Sequence, residues 1–319
     1  MKEQAAEAIL RARDILVISH EDPDGDAIGS ILGFTWALRQ LGKRVYPACP
    51  DPVPSTYQFL PGSDEIAAIS ATDQDLIVTL DGSDKTRFGD CFDLEQTRDI
   101  LVVNIDHHVT NTHFADINWV GPSYSATCEM IVDLLPSLGV TTDARIATCL
   151  LTGALTDTLG FRTRTTSPHA LRIAAQLVEE GAPLAEITDQ VFNRRAMSSL
   201  RLWGKVIEGM QFDDGLVWAS STIAIRRDCG VDRMATNGVV NLLATVREAH
   251  VAVLFTERET GEVEVSLRSR PGYNVAAVAL RLGGGGHPQA AGCRLYGPLE
   301  AAQDRVLSEL KASLGGRLS

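Results

Sequence analysis

No two cysteines of this chain stand at the CxxC spacing of a zinc or dithiol motif; the six lie scattered at Cys49, Cys91, Cys128, Cys149, Cys229 and Cys293. This spacing argues against a structural zinc knot and reads as reduced, mostly packing thiols of a cytoplasmic protein. No apolar run approaches the length of a membrane span, and the opening "MKEQAAEAILRARD" has no signal-peptide block, so no membrane association is expected. Aromatic residues make up only 6%, and Trp36, Trp119, Trp203 and Trp218 form no stacking stripe. They read as core or domain-contact residues, not as a platform for a long single strand of nucleic acid. Positive charge is in deficit: 29 Lys and Arg against 41 Asp and Glu leave a net charge of −12. With no general basic surface, a polyanionic substrate has to be met by local groups or by bound cations.

What is present fits two soluble domains: 319 residues, 45% apolar and 22% charged. In the first half, strand signals at Ile15–Ser19, Arg44–Ala48, Asp75–Leu80 and 99–106 alternate with helical periods. The helical periods are Ala27–Gln40, Tyr124–Leu138, Asp143–Leu155 and Pro168–Glu180. That alternation predicts an α/β fold whose N-terminal domain, 1–190, is built on a mainly parallel sheet. Residues 191–214 read as a helical linker. From 215 to 319 a smaller α/β domain is expected, with strands in "LVWASSTI", "AHVAVLFTE" and "VEVSLRSR" and helices at Asn237–Thr245 and Asn274–Leu282. The Thr-Gly pair in "ERETGEVE" predicts a hairpin between two of those strands.

The first half also concentrates acid and imidazole at strand ends. The segments "SHEDPDGD", "TLDGSD" and "NIDHHVTN" each follow an apolar strand, and Asp157 follows the apolar run of "LLTGALTD". In parallel sheets, ligands bind outside the carboxyl ends of the strands. On a shared edge, His20, Asp24, Asp26, Asp81, His107 and Asp157 would converge. Four such carboxylates repel unless cations neutralise them. Imidazole with carboxylate and no thiolate suits manganese or magnesium over structural zinc. Six ligands exceed what one ion needs, and two ions with a shared carboxylate, roughly 3.5–4 Å apart, fit better.

Each piece alone has a plainer explanation. Asp24-Gly25 and Asp81-Gly82 are ordinary turn pairs, Asp26 suits a helix cap, and Asp157 suits a helix end. In "YSATCE", Ser125 or Thr127 explains equally well as a cap or as a polar group near the site. The joint occurrence, in this order, carries the inference.

"HEDPDGDAIGS", "LDGSD", "NIDHHVTN", "GALTDT" and the late "GGGGHPQAAG" resemble the motifs of the DHH phosphoesterase superfamily with a DHHA1 domain, over nearly the whole chain. In length and layout the chain is similar to the stand-alone nano-RNase/pAp phosphatase type. The resemblance implies two manganese ions, with magnesium or cobalt as substitutes. It implies that His20 and Asp24 hold one ion, Asp26, His107 and Asp157 the other, and Asp81 bridges them. It further implies that Asp106 and His108 support the site, His108 steadying the attacking water or protonating a leaving oxygen.

In the second half, the glycines before His287 would let backbone N–H groups approach an anion; a hinge with a buried histidine is the plainer reading. Arg268-Ser269-Arg270 ends a strand, and alone would be a solvated strand end. Given the resemblance, Gly285, Gly286, His287, Arg268, Ser269 and Arg270 become a substrate clamp, arginine's planar fork suiting phosphate oxygens. Arg162 and Arg164 are weaker candidates. The activity implied is hydrolysis of short oligonucleotides to nucleoside 5′-monophosphates, with 3′-phosphoadenosine 5′-phosphate as a further substrate. The rivals are a cyclic or linear dinucleotide phosphodiesterase and a non-catalytic nucleotide-binding regulator. A RecJ-like processive exonuclease and a pyrophosphatase are less favoured. The partners expected are short oligonucleotides or small nucleotides, with no long nucleic-acid scaffold; homo-oligomer formation stays open.

Overall fold

The computed structural model describes residues 1–71, 73–92, 97, 99–236 and 238–314. The chain divides into two compact units, Met1–Arg194 and Arg195–Ser319.

The first unit runs α1 (Lys2–Arg11), β1 (Asp14–Ile18), α2 (Gly25–Gln40), β2 (Arg44–Ala48), β3 (Leu76–Leu80), β4 (Leu101–Asp106), β5 (Ile117–Val120), α3 (Thr127–Leu138), α4 (Ala144–Asp157), α5 (Pro168–Glu179) and α6 (Leu184–Thr188). Its five strands lie in the order β2-β1-β3-β4-β5, every neighbouring pair parallel. Strands covered on both faces have no polar side to alternate with, hence the unbroken apolar runs "ILVI" and "LIV". One face packs Ile15, Val17, Val78 and Ile105 against α2, α3 and α4. The other packs Leu16, Ile18 and Ile77 with Phe88 and Phe92. The chain leaves β1 for β2 on one side and returns to β3 on the other. The strand order therefore reverses between β1 and β3, where α/β sheets open a ligand crevice.

Helices α2 and α4 approach unusually closely. A Cβ at Gly29 would lie 2.5 Å from the carbonyl oxygen of Cys149, and one at Gly25 2.4 Å from the Thr156 side chain. Glycine at these positions lets the two backbones touch, which brings the C-terminal end of α4 beside the start of α2.

The second unit runs α7 (Met197–Glu208), β6 (Gln211–Asp213), β7 (Leu216–Ser221), α8 (Ile223–Cys229), α9 (Val239–Leu243), β8 (Val251–Glu257), β9 (Glu262–Ser269), α10 (Val275–Arg281), β10 (Gly285–His287), β11 (Ala290–Tyr296) and α11 (Leu299–Leu314). Its six-stranded sheet has the order β10-β11-β9-β8-β7-β6 and is antiparallel except for β7–β8. Within the run read as a linker, α7 buries Leu202 and Val206 against Val217 and Leu254 of this sheet.

The α/β class, the parallel first sheet and a smaller α/β second unit agree with the sequence reading, as does the β8–β9 hairpin, which turns at Gly261 with φ +84°. The helix expected at Asn237–Thr245 is α9; Asn237 itself lies outside the described residues. Eight elements escaped the sequence: α1, β5, α6, β6, α8, β10, β11 and α11. Strands β5 and β6 have only four and three residues, too short for a period to show. The glycine run read as a loop is, from Gly285 to His287, the edge strand β10 of a tight hairpin with β11. A Cβ at Gly284 would sit 2.0 Å from the Gly292 carbonyl, so close backbone packing accounts for that glycine. Among the described residues no helix is long and apolar enough to cross a membrane.

Candidate metal centre

Neighbouring strands end in register, so the residues just past them meet. Ile18 pairs with Thr79 and Leu80 with Ile105, which brings His20, Asp81 and His107 to one edge of the sheet. Asp81 lies at the centre. Its Oδ2 is 3.6 Å from His20 Nε2 and its Oδ1 3.4 Å from His107 Nε2. The Thr127 hydroxyl donates to Oδ1 at 3.0 Å. Asp81 adopts φ +59°, a left-handed conformation that a non-glycine residue holds at a cost and that recurs at functional sites.

The two imidazoles are oriented alike. His20 Nδ1 sits 2.7 Å from the Glu21 carbonyl and His107 Nδ1 3.4 Å from that of Tyr124. A proton held on Nδ1 by a carbonyl leaves Nε2 as the lone-pair nitrogen, and both Nε2 atoms face carboxylates. Potential ligand atoms of His20, Asp24 and Asp81 lie within 4.8 Å of one another, as do those of Asp26, Asp81 and His107. Asp81 is common to both groups. Asp157, the last residue of α4, puts Oδ2 3.4 Å from His107 Nε2. All six residues expected to converge do so, and their oxygen and imidazole donors fit hard or borderline divalent cations. The nearby thiol of Cys128 is turned to the Ser30 hydroxyl, 3.2 Å away.

Several plainer readings change. Asp24, not Asp26, caps α2, its Oδ1 accepting the N–H groups of Asp26 and Ala27 at 3.0 Å each. Asp26 lies fully buried inside α2 and caps a different helix: its oxygens accept the N–H groups of Thr127 and Cys128, the first two residues of α3. Neither Ser125 nor Thr127 caps α3. The Ser125 hydroxyl donates to the Thr165 carbonyl, and that of Thr127 goes to Asp81.

The electrostatics record crowded acid. Burial, then the charges of Asp81 and Asp157, push the Asp26 carboxyl well above the usual range, with the His107 imidazole pulling the other way. Burial and the charges of Asp24 and Asp81 push Asp157 up to about 7. Burial opposes charge on Asp81 too, but the imidazoles of His107 and His20 outweigh it and hold the carboxyl well below its ordinary value. Burial disfavours charge on His107, yet Asp81 and Asp157 raise its proton affinity well above 6.5. Without cations the cluster is balanced by protons; divalent ions would replace them.

Beside the cluster, His108 Nδ1 is 2.7 Å from Asp106 Oδ1, and Asn111 donates to Asp106 Oδ2 at 2.6 Å. Asn111 lay inside a quoted motif without a role, and Thr127 stood open between a helix cap and a polar group near the site; its hydroxyl on Asp81 decides for the second. Only contacts across the fold reveal these roles.

In the second unit, pairing places Arg268 opposite Ala290 and Ala290 opposite His287. Arg268 and His287 therefore share one face of the sheet, two strands apart. Ser269 donates to the Tyr273 carbonyl at 2.6 Å, and the Arg270 guanidinium to the carbonyls of Val246 and Arg247 at 3.1 and 2.7 Å. Arg162 is exposed and donates to the Leu159 carbonyl.

Residues 14–154 match the model of the DHH family, N-terminal domain, and residues 220–316 that of the DHHA1 domain. A bifunctional oligoribonuclease and PAP phosphatase NrnA of Thermus thermophilus is 40% identical, covering 94% of this chain and 90% of the relative. A protein of the same description from Bacillus subtilis is 26% identical, covering 98% of each. The crystal structure of an exopolyphosphatase-related protein from Bacteroides fragilis superposes with a TM-score of 0.87 at 26% identity, covering 99% of this chain and 97% of that one. Two family domains in this order, a near full-length relative and a buried histidine–aspartate cluster at the sheet edge agree: the chain belongs to the DHH/DHHA1 family and is of the NrnA type.

Proposed function

We propose that this chain is a divalent-metal-dependent phosphoesterase of the cytoplasm that hydrolyses short oligonucleotides to nucleoside 5′-monophosphates and dephosphorylates 3′-phosphoadenosine 5′-phosphate to AMP. The observation that carries it is Asp81, a buried carboxylate with one oxygen toward His20 and the other toward His107. On this reading His20 and Asp24 hold one ion, Asp26, His107 and Asp157 the other, and Asp81 both; manganese suits the donor set. When bound, such a pair supplies a water of lowered pKa and charge stabilisation for in-line displacement at phosphorus.

The protein's own groups do the rest. Asp106 fixes the His108 proton on Nδ1, which makes Nε2 the nitrogen that takes a proton from the nucleophile or passes one to the leaving oxygen. The second unit holds the nucleotide through Arg268, His287 and the backbone of Gly285 and Gly286, with Ser269 and Arg270 shaping the strand end. The 40% identity over 94% of the chain supports the substrate class.

The test is a manganese-supplemented assay over oligoribonucleotides of graded length, with 3′-phosphoadenosine 5′-phosphate alongside. A net charge of −12 repels each phosphate not locally paired, so efficiency falls beyond the first few nucleotides, and added salt narrows the difference. Equal or better turnover of a long strand at low salt would reject this reading.

A further inference from the structure

The short helical turn Lys85–Cys91 follows β3 and carries a cation to the metal centre. Its backbone is pinned: the Arg87 carbonyl accepts the Glu21 N–H at 2.7 Å, and its N–H donates to the Asp84 carbonyl at 3.1 Å. The half-buried side chain places Nη2 3.1 Å from His20 Nδ1. Among the described residues this is the guanidinium's one polar contact, and no carboxylate lies within ion-pair distance of it.

That contact is chemically unsatisfactory. His20 Nδ1 is 2.7 Å from the Glu21 carbonyl, a pure acceptor, so it must carry the proton there. An N–H of Arg87 then faces an N–H of His20 and has no lone pair to receive it. A guanidinium with five donors stands one imidazole ring away from Asp81 without an acceptor, in a chain with 41 Asp and Glu to choose from. A cation placed only to neutralise the cluster would pair with one of its acids.

We propose that Arg87 is a substrate-binding residue of this site, its guanidinium taking an oxygen of the phosphate being cleaved. This rests on the function proposed above. Charge balance agrees with it: Asp24, Asp26, Asp81 and Asp157 are met by two divalent cations, and the incoming phosphate brings the negative charge that Arg87 answers. The competing role is positional, with Arg87 acting only to hold the His20 ring.

Full-length Arg87→Ala and Arg87→Lys separate the two. Three quantities are measured: manganese binding by calorimetry, inorganic phosphate binding to the manganese-loaded protein, and KM and kcat on a dinucleotide with and without added guanidinium ion. In Arg87→Ala, manganese affinity stays within about twofold, phosphate affinity falls about tenfold or more, and kcat/KM falls about a hundredfold, with partial recovery in guanidinium. Arg87→Lys falls between that variant and the wild type, keeping the charge but not the fork. Weakened manganese binding with unchanged phosphate affinity at saturating metal would overturn the proposal in favour of the positional role. So would unchanged kcat/KM in an active protein. Should the wild type cleave no nucleotide while phosphate binding still depends on Arg87, the proposed function fails and the anion-binding assignment holds.

Discussion

Asp26 Oδ2 accepts the backbone N–H of Thr127 at 2.6 Å, so a side chain in the first turn of α2 caps the start of α3. Helix α3 has no side-chain cap of its own, and Thr127 also donates to Asp81. The centre and the packing of two helices thus share one carboxylate.

Asp26→Ala therefore has two separable effects. It weakens metal binding, and in chelator it lowers unfolding free energy by about 1–2 kcal/mol through loss of the cap. Asp157→Ala weakens metal binding but not the chelated fold, because it removes a carboxyl that burial and its neighbours already oppose. Urea denaturation of both variants in chelator checks this; equal destabilisation of the two would remove the capping role.

Gly29→Ala tests how α4 reaches the site. The added carbon would meet a backbone carbonyl 2.5 Å away, which cannot rotate aside as a side chain can. The helices must part, at a cost of about 1–3 kcal/mol, and Asp157 moves from His107. The expected result is a lower Tm together with weaker manganese binding, although residue 29 lies outside the proposed ligand set. Wild-type metal affinity in a folded Gly29→Ala protein would show that α4 is held by other contacts.

The metal-free protein should lose stability as pH rises. Asp157 keeps its proton up to about 7 in the fold but gives it up near 3.8 when unfolded, and Asp26 shifts the same way. The folded state then binds more protons than the unfolded one, and His107 and His20, raised above 6.5, extend that sign upward. From about pH 5 to about pH 8 the Tm in chelator falls. Asp81, shifted downward, acts only below this window, where its contribution is lost as pH drops. Manganese displaces the held protons, so the Tm gain it produces grows with pH. Thermal scans with chelator and with manganese measure both slopes, and Asp157→Asn should flatten the first.

Arg268 and His287 share a sheet face, Arg268 donating to Asn241 Oδ1 and to the Leu267 carbonyl at 2.9 Å each, and Arg270 is bonded to the carbonyls of Val246 and Arg247. Alanine at Arg268 or His287 should raise KM for a dinucleotide about tenfold with manganese content unchanged. Alanine at Arg270 should act mainly through the Tm, by orphaning the carbonyls of Val246 and Arg247. A KM effect confined to Arg270 would reverse the assignment.

Which residues converge was readable in the chain because strand periodicity is local. The buried runs before His20, Asp81 and His107 announce a parallel sheet, and such a sheet delivers the residues after its strands to one edge. The need for counter-charge at that edge was legible for a similar reason, since several carboxylates at one edge repel whatever their rotamers. Contacts between distant segments were not legible. That Asp24 caps α2 while Asp26 caps α3 depends on a pairing 101 positions apart. The Gly29 contact with Cys149, the turn of Arg87 toward His20 and the placing of Thr127 on Asp81 are likewise products of packing. The glycine run before His287 illustrates the limit: flexibility in sequence terms, it became an edge strand because β11 lay close enough to exclude any side chain at 284. Composition and period determined the sheet and the kind of chemistry at its edge. The tertiary structure decided which atom each side chain presents, because hydrogen-bond direction and close approach exist only once the helices are packed.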